Sequence, residues 1–352
     1  MNYFDTTTAH KIRSFSAKAE EWKQIPKEWL KVIYSEKLFK LFVPKKDGGR
    51  MLPLPEALRL FDEAAFIDGN FAWAITIGSG GGYFYAFMKP EIAKKVFKDA
   101  KSVIAGGGKP ADKVKKVNGG YKVNGKWQYA SGASYATTFT ANIKTEKNKV
   151  IAVILEPKQI RINQDWNAMG MKATESHSVN AEDAFVSNEM TFDLAETKLF
   201  YEHPFYHYPF LQFAETSFAA LSLGLGRHFF EEAYTMLKEN KKNWSVIEGR
   251  YAFVKRLVEK KEIEFNKICE QFYKTFDTSW KEILKNKTLS DKTKKAVSTI
   301  SKKASRVVLH DMDAVIQYLG MSAVMEASVI NKIWRDTHTV CHHVLLVPYE
   351  VV

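Results

Sequence analysis

Cysteine is almost absent from the chain: Cys269 and Cys341 are the only two in 352 residues, far apart and in no CxxC or Cys/His ligand spacing. That scarcity argues against a disulfide framework or a cysteine-ligated zinc site, and it suits a reducing cytoplasm. Long apolar runs are missing as well. The longest, around Phe71–Phe87, is broken by GSGGG, and the start MNYFDTTTAHKIRSF has no apolar stretch behind a basic one, so neither a membrane span nor a secretion signal is expected. Internal repeats and low-complexity segments are lacking too. A composition of 45% hydrophobic and 26% charged residues excludes collagen-like and wholly disordered chains.

The net charge of +12 invites a nucleic-acid reading. Yet the lysines in KRLVEKKEIEF and KTKKAVSTISKKASR recur at helical spacing, where a solvated face explains them, and no nucleic-acid partner is expected. The stretch from Lys281 to Lys303 is the densest basic patch and would suit a phosphate-bearing small molecule. Aromatic residues make up 13%, enough for a large core or a site that accepts a flat ring.

Three stretches follow one another. Over residues 1–101 the apolar positions Trp29, Leu30, Val32, Ile33, Leu38 and Phe39 recur at helical spacing, as do Leu58, Phe61 and Ala65 after Pro55, which suits a first helical turn. Over residues 102–192 the period changes to two. KVKKVNGGYKVNGKWQYAS alternates around Asn118-Gly119 and Asn124-Gly125, both read as tight hairpin turns, and VIAVILEP, IRINQDW and HSVNAEDAFVS read as further strands. Residues 193–352 return to helices, one of them expected to begin at Asp291.

In order along the chain, FVPKKDGG, DGNFAWAI, NGGYKVNGKWQYASGASYA, WNAMGMKATESHSVNAEDAFVS and NKIWRDTHTVCHH resemble the acyl-CoA dehydrogenase superfamily. The resemblance implies an α+β, mainly α fold: an N-terminal helical domain, a middle antiparallel, barrel-like β-domain and a C-terminal helical bundle. Two branches are weighed. The dehydrogenases carry a base in a YEGT stretch after the RD pair, and no such Glu follows Asp336. The two-component flavin monooxygenases carry patterns similar to GGYxVxGxWxxxSG and RDxHxxxxH, which here are Gly119–Gly132 and Arg335–His343.

This second branch implies the oxygenase component of a flavin-dependent monooxygenase, acting with O2 on a small aromatic substrate. The flavin, FAD or FMN, would arrive reduced from a separate reductase. The resemblance sets Trp127, Ser131 and Gly132 against the flavin ring, with the Ser131 hydroxyl near N5, and adds Ser134, Thr174 and Ser176 as flavin contacts. Met171 and Lys172 lie in the same strand-like stretch, and Lys172 would add charge. His343 takes the place of the catalytic His, a base for a phenolic proton. No metal is expected: His338 and His342 are spaced i, i+4, but position 339 is Thr rather than an acid.

Plainer readings stand beside these: a Ser-Gly hairpin end next to an edge-strand Trp, a polar strand face at Thr174 and Ser176, and imidazoles favoured by a helix C-terminus. Asp336 reads as a structural ion pair with Arg335. Tyr135 stands where oxygenase relatives often have His, and the chain is shorter than they are. An acyl-CoA dehydrogenase with an acyl-CoA substrate and a flavin-free binding protein are the alternatives. A homo-oligomer, dimer or tetramer, is expected from Val307, Val308, Leu309, Val315, Ile316, Leu319 and Met321 in the last helices.

Overall fold

A computed structural model describes residues 3–111, 113–196 and 199–349. Six helices come first: α1 (Thr6–Ser14), α2 (Ser16–Trp22), α3 (Lys27–Ser35), α4 (Leu54–Ile67), α5 (Gly69–Gly80) and α6 (Pro90–Phe97). Eight strands follow: β1 (Ile104–Ala111), β2 (Lys113–Val117), β3 (Gly120–Ala130), β4 (Thr138–Lys144), β5 (Val150–Leu155), β6 (Arg161–Asn163), β7 (His177–Ser187) and β8 (Thr191–Phe192). The chain then returns to helices: α7 (Pro204–His207), α8 (Phe210–Trp244), α9 (Arg250–Asn286), α10 (Asp291–Ile316) and α11 (Val329–Cys341). None of the described helices is long and apolar enough to cross a membrane.

The strands form two four-stranded sheets, ordered β1-β4-β5-β8 and β2-β3-β7-β6, rather than a closed barrel. One pair departs from the expected antiparallel pattern, since β1 runs parallel to β4. Val123, Trp127, Phe139, Ile143, Val153 and Val179 fill the space between the sheets.

Of the two Asn-Gly pairs, only Asn118-Gly119 makes a turn, joining β2 to β3. Asn124-Gly125 sits inside β3, where the register with β7 slips between Val123 and Gly125. Asp183 of β7 explains the slip: its backbone N–H donates to the Asn124 side chain at 2.8 Å, and its φ of 47° places it in the left-handed region. Such a bulge holds the Asn without turning the chain. Gly125 leaves room for a neighbour, because a Cβ there would lie 2.7 Å from the Trp127 ring.

The N- and C-terminal helices share one core, in which Trp29, Phe42, Phe61, Phe205, Phe229 and Phe272 are fully enclosed. Helix α8 runs through it and meets α4 closely at Gly224, where a Cβ would lie 2.0 Å from the Asp62 carbonyl oxygen. Helix α5 is buried on nearly every side, and its few polar residues, Asn70, Thr76 and Ser79, form no polar face. Its first turn is capped by Asp68, whose Oδ1 accepts the N–H groups of Asn70 at 2.8 Å and Phe71 at 3.1 Å. Helix α10 begins at Asp291 as the sequence suggests, capped by Ser290.

Candidate active site

Helix α5, both sheets, helix α8 and the turn after α11 enclose a cavity of about 1720 Å³. Its wall carries a chain of hydroxyls. The Trp73 indole N–H donates to Ser131 Oγ at 2.9 Å, Ser131 Oγ lies 2.7 Å from Ser176 Oγ, and Ser176 Oγ lies 2.7 Å from Thr174 Oγ1. Thr174 Oγ1 donates to the Met171 carbonyl at 2.9 Å.

One end of this chain can only donate and the other can only accept, which fixes its polarity. Thr174 spends its proton on Met171, so Ser176 donates to Thr174 and Ser131 donates to Ser176. Ser131 Oγ therefore offers a lone pair, not a proton, to anything else that approaches.

Thr174 and Ser176 are buried but not strand residues. Lys172–Thr174 is a single helical turn between two left-handed residues, Met171 and Glu175, and β7 begins only at His177. The turn is anchored from beneath. Asn70 Oδ1 accepts the Ala173 N–H at 2.9 Å, and the Met171 N–H donates to Asp336 Oδ1.

Asp336 does not pair with Arg335. Adjacent helical residues point in different directions, so Asp336 meets Lys332 Nζ at 2.7 Å while Arg335 bonds Glu20. Lys332 Nζ also reaches Asp68 Oδ2 at 3.0 Å. Lys172 is held by Glu20 at 3.2 Å and so does not serve as a free phosphate ligand.

Three of the residues expected at the flavin do not line this cavity. Trp127 faces the space between the sheets, only 1% exposed, and its indole N–H donates to the Asn142 carbonyl at 3.2 Å. Gly132 sits behind Ser131 with its N–H on the Thr174 carbonyl at 2.9 Å, and a Cβ there would strike the Tyr135 ring. Ser134 is exposed and bonds the buried Glu175. Trp127→Ala should thus act as a core mutation, costing about 3–5 kcal/mol in a urea melt, with flavin affinity per folded molecule unchanged. A stable variant that no longer held flavin would put Trp127 back at the site.

His343 does line the cavity, but it lies two residues beyond the end of α11 rather than on the helix. Its ring packs edge-on against Phe218 at 4.7 Å and lies 6.3 Å from Trp73. Burial pushes its pKa down to about 4, so the ring is neutral at physiological pH. Nδ1 accepts the Leu345 N–H at 3.3 Å, which puts the proton on Nε2. The ring as it stands presents a donor, not the ready base the sequence suggests.

The other two histidines are held within the helix end. His342 Nδ1 meets the His338 carbonyl at 2.6 Å, and His338 Nε2 meets Asp313 Oδ1 at 2.9 Å. Trp73, at the head of the hydroxyl chain, carries no signal of its own in DGNFAWAI, because a helix buried nearly all round has no phase that marks one side as a site.

The cavity is charged only toward its β-domain side. Lys109 and Lys126 line it there, both exposed, and Glu182 is the single carboxylate among the described lining residues, its side chain 76% exposed. Gly106 and Gly107 make room for Thr140 and Trp127, whereas Gly108 is open beside the two lysines, whose ammonium groups suit a phosphate. Volume and cationic donors together fit a flavin.

Comparison with known proteins bears out the resemblance. Residues 216–348 match the family described as "Acyl-CoA dehydrogenase, C-terminal domain". The chain is 23% identical over 333 residues to an indole-3-acetate monooxygenase of Pseudomonas putida, covering 92% of this chain and 84% of that protein. The crystal structure of 3-HSA hydroxylase from Rhodococcus sp. RHA1 superposes with a TM-score of 0.86 at 18% identity, covering 97% of this chain and 91% of that one. XiaF from Streptomyces sp., solved with FADH2 and glycerol, gives a TM-score of 0.80 at 15% identity, covering 97% and 89%.

Proposed function

We propose that this chain, which has the acyl-CoA dehydrogenase-like fold throughout, is a flavin-dependent oxidoreductase: the oxygenase component of a two-component monooxygenase acting on a small aromatic substrate. The relatives named above support the class. The observation that carries the choice of branch is the wall of the cavity. An acyl-CoA dehydrogenase needs a carboxylate beside the substrate's α-carbon, and the only described lining carboxylate, Glu182, is largely solvated on β7.

Reduced flavin, FAD or FMN, delivered by a separate reductase would supply the activation of O2. The residues of this chain do the rest. Ser131, its proton committed to Ser176, would accept an N–H such as that at N5 of a reduced flavin. Trp73, Phe213 and Phe218 exclude water from the inner end. His343 holds a substrate oxygen or nitrogen with its Nε2 proton, and it acts as a base only after exchanging that proton. Lys109 and Lys126 would hold a flavin phosphate.

Self-association belongs to the same reading, with Met321 the one exposed residue among those the sequence suggests. Val308, Leu309, Val315 and Leu319 are buried within the protomer, whereas Val246 at 84% and Met321 at 76% are exposed, along with Phe253 and Tyr318, whose rings lie 5.0 Å apart. An apolar surface there suits a second copy of the chain, in a dimer or tetramer.

The test is His343→Ala with a reductase-supplied flavin. Hydroxylated product should disappear while oxygen-dependent oxidation of the reduced flavin continues. In the unmodified protein, product yield should show no His343 inflection near pH 6.5, because the ring is neutral down to about pH 4. Full hydroxylation by the variant would remove His343 from the mechanism. Anaerobic bleaching of bound oxidised flavin by acyl-CoAs would overturn the oxygenase reading.

A further inference from the structure

Many hydroxyls within the helices of this protein return to their own backbone, and others, such as Ser298 on Glu215, meet a side chain. Thr216 donates to the Gln212 carbonyl at 2.7 Å, Ser217 to Phe213 at 2.8 Å, and Thr337 to Ile333 at 2.7 Å. Thr76, in the middle of α5, does not. It is 3% exposed, its Oγ1 has no hydrogen-bond partner, and it lies on the wall of the cavity one turn beyond Trp73.

A buried hydroxyl without a partner lowers stability, and a threonine on a helix populates two χ1 wells. Rotation between them exchanges the methyl and the hydroxyl, so Oγ1 can turn to meet a molecule in the cavity without moving the helix.

The surroundings restrict what that molecule is. On the helical wall, Trp73, Ile77, Phe84, Phe213 and Phe218 are apolar or aromatic, and no lysine, arginine, aspartate or glutamate of α5 or α8 lines the cavity. His343 is neutral there. The two lysines that line the cavity belong to the sheets and are exposed.

We propose that Thr76 is a specificity-determining residue of the site: its hydroxyl accepts the ring N–H of an uncharged, flat substrate seated against Trp73 and Phe218. The inference rests on the oxygenase reading for the cavity's occupant and deepens it by naming the substrate class. A ring bearing a carboxylate would bring a buried charge to a wall without lysine or arginine, where His338 and His342 are already engaged by Asp313 and the His338 carbonyl.

Indole and 1-methylindole are suitable probes, because they share a ring and differ at the N–H. Calorimetric titration of the full chain should show indole binding about tenfold more tightly than 1-methylindole, the scale of one hydrogen bond. Thr76→Val should erase that preference without weakening 1-methylindole, and Thr76→Ser should retain it. Because the removed hydroxyl has no partner, Thr76→Val should melt no lower than the native protein. Indole-3-acetate should bind more weakly than indole.

A preference that survives in Thr76→Val, a native protein that shows no preference, or one that binds neither ring would overturn the assignment. Tighter binding of indole-3-acetate than of indole would overturn the uncharged class. Flavin affinity, measured separately by fluorescence quenching, keeps the two readings apart. Flavin binding without the indole contrast defeats only the role of Thr76, whereas a Thr76-dependent contrast without flavin binding defeats only the oxygenase reading.

Discussion

Ser176→Ala should raise the affinity of this protein for oxidised flavin relative to reduced flavin by about tenfold, the worth of exchanging one mismatched hydrogen bond for a matched one. The direction follows from the polarity of the hydroxyl chain. In the native protein Ser131 spends its proton on Ser176 and can only accept from a ligand. Reduced flavin carries a proton at N5 and matches that lone pair; oxidised flavin carries a lone pair at N5 and opposes it.

Removing the Ser176 hydroxyl frees the Ser131 proton while leaving the Trp73 bond in place. Ser131 can then donate to oxidised flavin. Ser131→Ala is the informative contrast, because it should weaken reduced flavin without improving oxidised flavin. Titrations of both redox states under anaerobic conditions decide the matter. An unchanged ratio in Ser176→Ala would mean that Ser131 does not face N5.

Much of this arrangement was legible in the sequence, and the misses have physical causes. Helical spacing located α3 and α4, and the turn chemistry of Asn118-Gly119 located the β2–β3 hairpin. The second Asn-Gly pair was misread because Asp183, distant in sequence, supplies the partner that makes it a bulge. Ser131, singled out by its motif, lines the cavity, whereas Trp127 in the same motif points the other way. Strand alternation places it on the face of Val123, which belongs to the core.

Long-range pairing set the remaining limits. Nothing local says that Lys332 rather than Arg335 neutralises Asp336, although the i, i+4 spacing of Lys332 and Asp336 permits it. Nor does local sequence say that Glu20 occupies both Arg335 and Lys172. The exposed apolar residues beyond α8 are likewise indistinguishable from core residues until the helices are packed.

Lys332→Met should be the most destabilising single change near the site, costing about 3–5 kcal/mol near neutral pH, because it strands two carboxylates in the interior. Lys332 is buried between Asp68 Oδ2 at 3.0 Å and Asp336 Oδ2 at 2.7 Å. Burial works against its charge, but the two carboxylates outweigh burial and hold its pKa above the usual lysine value. Burial also works against the charge of Asp68, yet Lys332 outweighs it and holds that pKa low, whereas for Asp336 burial dominates and the pKa is raised.

Without the ammonium, both carboxylates have folded-state pKa values above the unfolded one of about 3.9. The folded variant then holds protons that the unfolded chain has released, so its stability rises as pH falls through that window. Asp68 in the native protein has the opposite sign, losing its contribution as acid protonates it. Urea midpoints should therefore differ widely at about pH 7.5 and less at about pH 5. A constant difference, or one below about 1 kcal/mol, would show that the triad is not electrostatically coupled to folding. Asp336 and Asn70 also hold the Met171–Ala173 turn on which the hydroxyl chain ends. Lys332→Met at acidic pH, where the chain stays folded, should thus lower the preference for reduced flavin as well.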